Sequence, residues 1–167
     1  METTQLSIGG ISKAELLRLL KDQDISINPL GNKLLQSNRF TIKNQPQTMT
    51  LAFMTLKELG FIETGPTLPE IISQVKAMGL DLCPPETGPF LRLAYSKDKN
   101  SQGMEKQFRT PDGAVTVLSV PLSKDHDFPK GFYLRKVDGT YWLRGYTCDD
   151  QHRFDVTECF VFQKIMQ

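Results

Sequence analysis

Five side chains in one short stretch could do chemistry together: Tyr133, Arg135, Trp142, Arg144 and Tyr146. Guanidinium groups hold phosphate or carboxylate in a fixed fork, and aromatic rings stack flat groups. Trp and Arg are also enriched at the energetic centres of protein interfaces. These five converge only if residues 132–146 form a hairpin, and the sequence asks for one. Asp138-Gly139 separates two runs of β-branched and aromatic residues. That dipeptide suits a two-residue type I′ turn, which needs positive φ at both positions. The turn sets Val137 opposite Thr140, Lys136 opposite Tyr141, Arg135 opposite Trp142, Leu134 opposite Leu143, and Tyr133 opposite Arg144. One face then carries Phe132, Leu134, Tyr141 and Leu143 and reads as core. The other becomes an aromatic and cationic surface. A plainer reading of the same pairs is self-stabilising decoration. Cross-strand pairs contribute ~0.2–1 kcal/mol each and exposed cation–π contacts ~0.5–1 kcal/mol. Arg92 is a further candidate for holding an anion beside this face.

Other constellations carry less. Cys148-Asp149-Asp150-Gln151-His152-Arg153-Phe154-Asp155 holds a thiol, an imidazole and carboxylates that could meet a metal ion, but the spacing matches no recognised ligand pattern. A solvated turn accounts for it, as for Ser123-Lys124-Asp125-His126-Asp127. Cys83 precedes Pro84-Pro85, a plausible rim position for a nucleophile, yet no base is assigned to it and a buried structural thiol explains it as well. Phosphate-loop, dinucleotide, nucleophile-elbow and HExxH signatures are absent from the sequence. No catalytic residue, metal or cofactor is therefore expected.

The elements that must position the hairpin can be read along the chain. Ser12-Lys13-Ala14-Glu15 has the form of a capping box and opens a helix over 13–22; Asn28 caps and Pro29 begins a second, ending at Gln36. Together they predict an N-terminal helical hairpin over 1–45. A DNA-reading pair is the alternative, poorly equipped because Lys33 is the second helix's sole cation. Residues 48–56 read as a strand. Thr67-Leu68-Pro69-Glu70 is another capping box, and its helix presents Ile71, Ile72 and Val75 before Gly79 stops it. Residues 80–83 are extended, 90–95 read as a strand with Leu91, Leu93 and Tyr95 on one side, and 96–113 as a long polar loop. Residues 114–122, apolar on both sides, predict a central strand, and 159–163 a closing one. The fold class expected is α+β: a mainly antiparallel sheet in a core of 46–167, with a packed helix and the helical hairpin, all in one domain of 1–167.

Composition narrows the partners. Twenty Lys and Arg against 19 Asp and Glu leave a net charge of +1, so no global field favours nucleic acid or a membrane surface. No stretch approaches the ~20 apolar residues of a membrane span. Met1-Glu2-Thr3-Thr4-Gln5-Leu6 lacks the basic start and apolar core of a secretory signal, and three irregularly spaced cysteines suit reduced thiols. A cytoplasmic setting is the simplest reading; an effector exported by a different signal would look the same.

Glu58-Leu59-Gly60-Phe61, Thr67-Leu68-Pro69-Glu70-Ile71, Gly79-Leu80-Asp81-Leu82-Cys83-Pro84, Gly88-Pro89 and Leu91-Arg92-Leu93-Ala94-Tyr95 form a recognisable series. With Trp142-Leu143-Arg144-Gly145, Arg153-Phe154 and Phe160-Val161-Phe162, the chain resembles a family of uncharacterised small bacterial proteins. In those, a GLxLCPxExGPxLRLxY-like segment precedes an antiparallel sheet. The resemblance spans most of the chain and implies a bacterial source and a shared α+β fold, but no activity. Where such relatives carry Gln after Leu-Arg-Leu, this chain has Ala94, so any role of that Gln is missing. The function expected is a binding or protein-interaction module for a partner protein or a small anionic ligand. The alternative is a small enzyme for an anionic or nucleotide-like substrate, clamped by Arg92, Arg135 and Arg144.

Overall fold

Asp138 and Gly139 adopt φ of 49° and 81°, the left-handed pair that a type I′ turn demands. From this turn run β6 (Gly131–Val137) and β7 (Thr140–Tyr146), paired in the register expected, from Val137↔Thr140 to Tyr133↔Arg144. The computed structural model describes residues 1–96 and 113–165. The predicted loop 96–113 lies outside the described residues apart from Ser96 and Gly113.

The chain opens not with a helix but with a strand, β1 (Glu2–Ile8), followed by α1 (Lys13–Asp22), β2 (Ser26–Ile27) and α2 (Pro29–Gln36). This corrects the expected helical hairpin. The helices are where the caps put them, with Ser12 Oγ accepting from Glu15 N–H and Asn28 Oδ1 from Gly31 N–H. They do not fold back on one another as a unit, because β2 between them joins the sheet beside β7. Then come β3 (Gln47–Thr55), α3 (Leu68–Ala77), β4 (Leu80–Asp81), α4 (Thr87–Ala94), β5 (Val115–Val117) and β8 (Cys159–Lys164). The capping box of α3 is complete, and Gly79, at φ 75°, turns the chain away after it.

A second correction falls on 90–95, which is the end of helix α4 rather than a strand. Eight helical residues are too few for the period to declare itself, and Leu91, Leu93 and Tyr95 also alternate as a strand would. Pro89 fits the first turn of a helix, where its missing N–H is no loss. Glu86 precedes the helix, buried, and its carboxylate accepts from Lys43 N–H and faces Lys43 Nζ at 3.4 Å.

Among the described residues the strands form one sheet in the order β1-β3-β8-β5-β6-β7-β2, with β4 also on β8. Most pairs are antiparallel; β2–β7 and β5–β8 are parallel. β5 is central, as its two-sided apolarity predicted, though it is three residues long. Both sheet faces are covered. On one, Leu16 and Leu20 of α1, Leu34 and Leu35 of α2 and Leu91 of α4 meet Met49, Leu51, Phe53, Val115, Val117, Phe132, Leu134, Leu143 and Val161. On the other, Ile71 and Val75 of α3 meet Ala52, Met54, Leu118, Phe160 and Phe162, with Ile72 at the margin. Period-two alternation along β3 and β8 thus feeds two cores from one strand each.

Candidate functional site

The hairpin owes its position to an uncommonly close backbone contact. A side chain at Gly145 would put Cβ 2.6 Å from Leu30 C and 2.7 Å from Gly31 N, so α2 lies directly on β7. Asn28 fastens them: its Oδ1 accepts from both Gly31 N–H and Gly145 N–H at 2.7 Å, and its Nδ2 donates to Gly145 O at 3.1 Å. Sequence reading saw Asn28 as a helix cap alone. The second role has one sequence signal, a glycine inside an aromatic strand, which marks close backbone approach.

Strand parity places Tyr133, Arg135, Trp142, Arg144 and Tyr146 on one face of the hairpin, away from Leu134 and Leu143. That face is narrower than a fully open surface. Tyr133 and Arg135 are each 5% exposed and so are not surface groups; Trp142, Arg144 and Tyr146 are half-buried. The difference follows from sheet position. β6 has β5 on one side, with Thr116 beside Tyr133, and β7 on the other, whereas beyond β7 the only described strand is the two-residue β2.

Arg144 organises the cluster. Its guanidinium carbon stands 5.0 Å from the Trp142 ring and 5.9 Å from the Tyr133 ring, and its Nε donates to Tyr133 Oη at 2.8 Å. Tyr133 and Tyr146 rings are 6.5 Å apart. The cation over Trp142 is therefore its own-strand neighbour Arg144 rather than cross-strand Arg135. Loss of hydration holds the Tyr146 hydroxyl far above its ordinary pKa, so it remains a neutral phenol.

Arg92 is not brought to this cluster. It reaches the hairpin from α4 on the opposite face, donating to Tyr95 O at 2.7 Å and Trp142 O at 3.3 Å. Its guanidinium lies 4.7 Å from the Tyr141 ring, and Lys136 Nζ lies 4.9 Å from the same ring. Tyr141 with two cations is a feature that sequence reading missed.

In the 148–155 loop, Asp149 accepts from Gln151 N–H and His152 N–H, which lowers its carboxyl pKa and makes it a turn-former. His126 and Asp150 are exposed, 3.8 Å apart. Among the described residues no three His, Cys, Asp or Glu side chains are grouped to hold a metal ion.

Cys83 is fully buried between the chain segments of Leu118 and Val161, and burial raises its pKa far above normal. Burial likewise pushes Cys148 and Cys159 up to about 11. These thiols ionise at lower pH when the chain is unfolded, near pH 8.5. Their stabilising contribution is thus full below about pH 8.5 and lost as pH rises toward their folded values. Urea midpoints measured between pH 7 and 10.5 under reducing conditions are expected to fall with pH. Replacing all three cysteines by Ala is expected to flatten that slope.

No helix among the described residues is long and apolar enough to cross a membrane. No family model, no curated protein and no solved structure matches this chain.

Proposed function

We propose that this protein is a binding module whose recognition surface is the β6–β7 face, with Trp142 at its centre and Arg144 as its anion-holding group. The posture of Arg144 carries this reading: Trp142 lies at 5.0 Å and its Nε donates to Tyr133 Oη at 2.8 Å. An arginine already held in one rotamer surrenders little freedom when a carboxylate or phosphate arrives. The neighbouring indole supplies apolar, planar area for whatever carries that anion. The matching ligand is an acidic patch on a partner protein, or a small anion bearing a flat ring. A three-arginine enzyme clamp has less support, because Arg92 serves backbone carbonyls on the other face.

Trp142 is the sole tryptophan, so its fluorescence reports on the site directly. Titration with ATP, inorganic pyrophosphate and a poly-glutamate peptide is expected to give a saturable change with at least one of them. Arg144→Gln, which keeps the indole, is expected to weaken that response about tenfold or more, the scale of a lost charged hydrogen bond. No saturable change with any of the three, or an unaltered response in Arg144→Gln, would remove the basis for this reading.

A further inference from the structure

The two edges of the sheet are unlike. At one, β2 is two residues long and leads into the Asn28 clasp. At the other, β1 pairs with β3 for seven residues in unbroken register, from Glu2↔Phe53 to Ile8↔Gln47, and no described strand lies on its outer side. Soluble proteins blunt such edges with lysine, proline, a bulge or extreme shortness. β1 uses none of these devices. Its sequence is Glu-Thr-Thr-Gln-Leu-Ser-Ile, five of the seven residues are exposed, and its one charge stands at the first position.

We propose that β1 is a self-pairing edge, joining two copies of this chain antiparallel across a two-fold axis normal to the sheet at Gln5. Such an axis sets residues of equal parity opposite one another, so outward N–H groups of one copy meet outward C=O groups of the other. Gln5 is the midpoint of Glu2–Ile8, and centring there engages all seven residues. Thr3 then faces Ser7 of the second copy, Thr4 faces Leu6, and the two Gln5 amides meet. None of these pairs opposes like charges. The two Glu2 carboxylates end up at opposite corners, about 20 Å apart along the strands. A net charge of +1 adds almost no long-range repulsion between copies. A second copy is preferred over an unrelated strand because this edge is its own complement in length, parity and charge. The proposal is independent of the hairpin face, which lies toward the other end of the sheet.

Sedimentation velocity of the full chain over a wide micromolar range tests it. The wild type is expected to shift from monomer to dimer as concentration rises. Gln5→Lys, which would set two like charges directly opposite one another on side chains whose Cβ atoms are about 5 Å apart, is expected to stay monomeric. Gln5→Thr should still dimerise. Because Gln5 is exposed, thermal unfolding of dilute Gln5→Lys should match the wild type, which separates lost pairing from lost folding. Gln5→Cys should yield a disulfide-linked dimer under mild oxidation. A wild type that is monomeric throughout, or a Gln5→Lys variant that associates as strongly as the wild type, would overturn the proposal. So would association abolished by Trp142→Ala instead.

Discussion

Replacing Gly145 with alanine is expected to destabilise the protein by about 3 kcal/mol, from overpacking (~1–3 kcal/mol) and weakened buried hydrogen bonds (~1–3 kcal/mol). The new methyl would stand 2.6–2.8 Å from three backbone atoms of Leu30 and Gly31. None of those is the far end of a flexible side chain, so relief requires α2 to lift off β7. That movement stretches the three hydrogen bonds of Asn28 at once. Gly31 makes the fit reciprocal, since its own added Cβ would lie 3.1 Å from Leu143 O. Against a typical total stability of ~5–15 kcal/mol, the loss should appear as a large drop in the urea midpoint. A loss below about 1 kcal/mol would mean that α2 is not seated on β7 as described.

Neighbouring positions on β7 should behave oppositely. Leu143 is fully buried between α2 and the first core, so Leu143→Ala is expected to cost ~2–5 kcal/mol of stability. Trp142 is half-buried on the other face, so Trp142→Ala should cost less stability while weakening ligand or partner binding by ~1–3 kcal/mol. Denaturation of both variants, with binding followed by calorimetry, separates the faces. If Trp142→Ala unfolds the protein as badly as Leu143→Ala, the indole is core and the recognition surface is lost with it.

The hairpin was legible because two independent signals agreed: Asp138-Gly139 fixed the turn and the alternation fixed which residues face inward. Helix α3 was legible because Thr67 and Glu70 close a capping box ahead of an apolar stripe. β1 was not, since Leu6 and Ile8 are its only core contributors and its partner, β3, begins some 40 residues later. Helix α4 was misread for a similar reason: eight residues with alternating leucines satisfy either period, and packing against β1, β6 and β7 decides. At the candidate site, register revealed the shared face but not its degree of cover. Tyr133 has β5 alongside it, a pairing that local sequence does not announce.

β8, the last of the described strands, sits inside the sheet, bonded to β3, β5 and β4. Without it no described strand ladder links β1 and β3 to β5 and the hairpin, and the two parts meet through packing such as that of α4 on β1, β6 and β7. Closure across more than a hundred residues, from Thr55 to Cys159, makes folding slow, with apolar surface open to aggregation in the interval. A truncation that removes Cys159–Lys164 would therefore cut the sheet in two rather than trim an end.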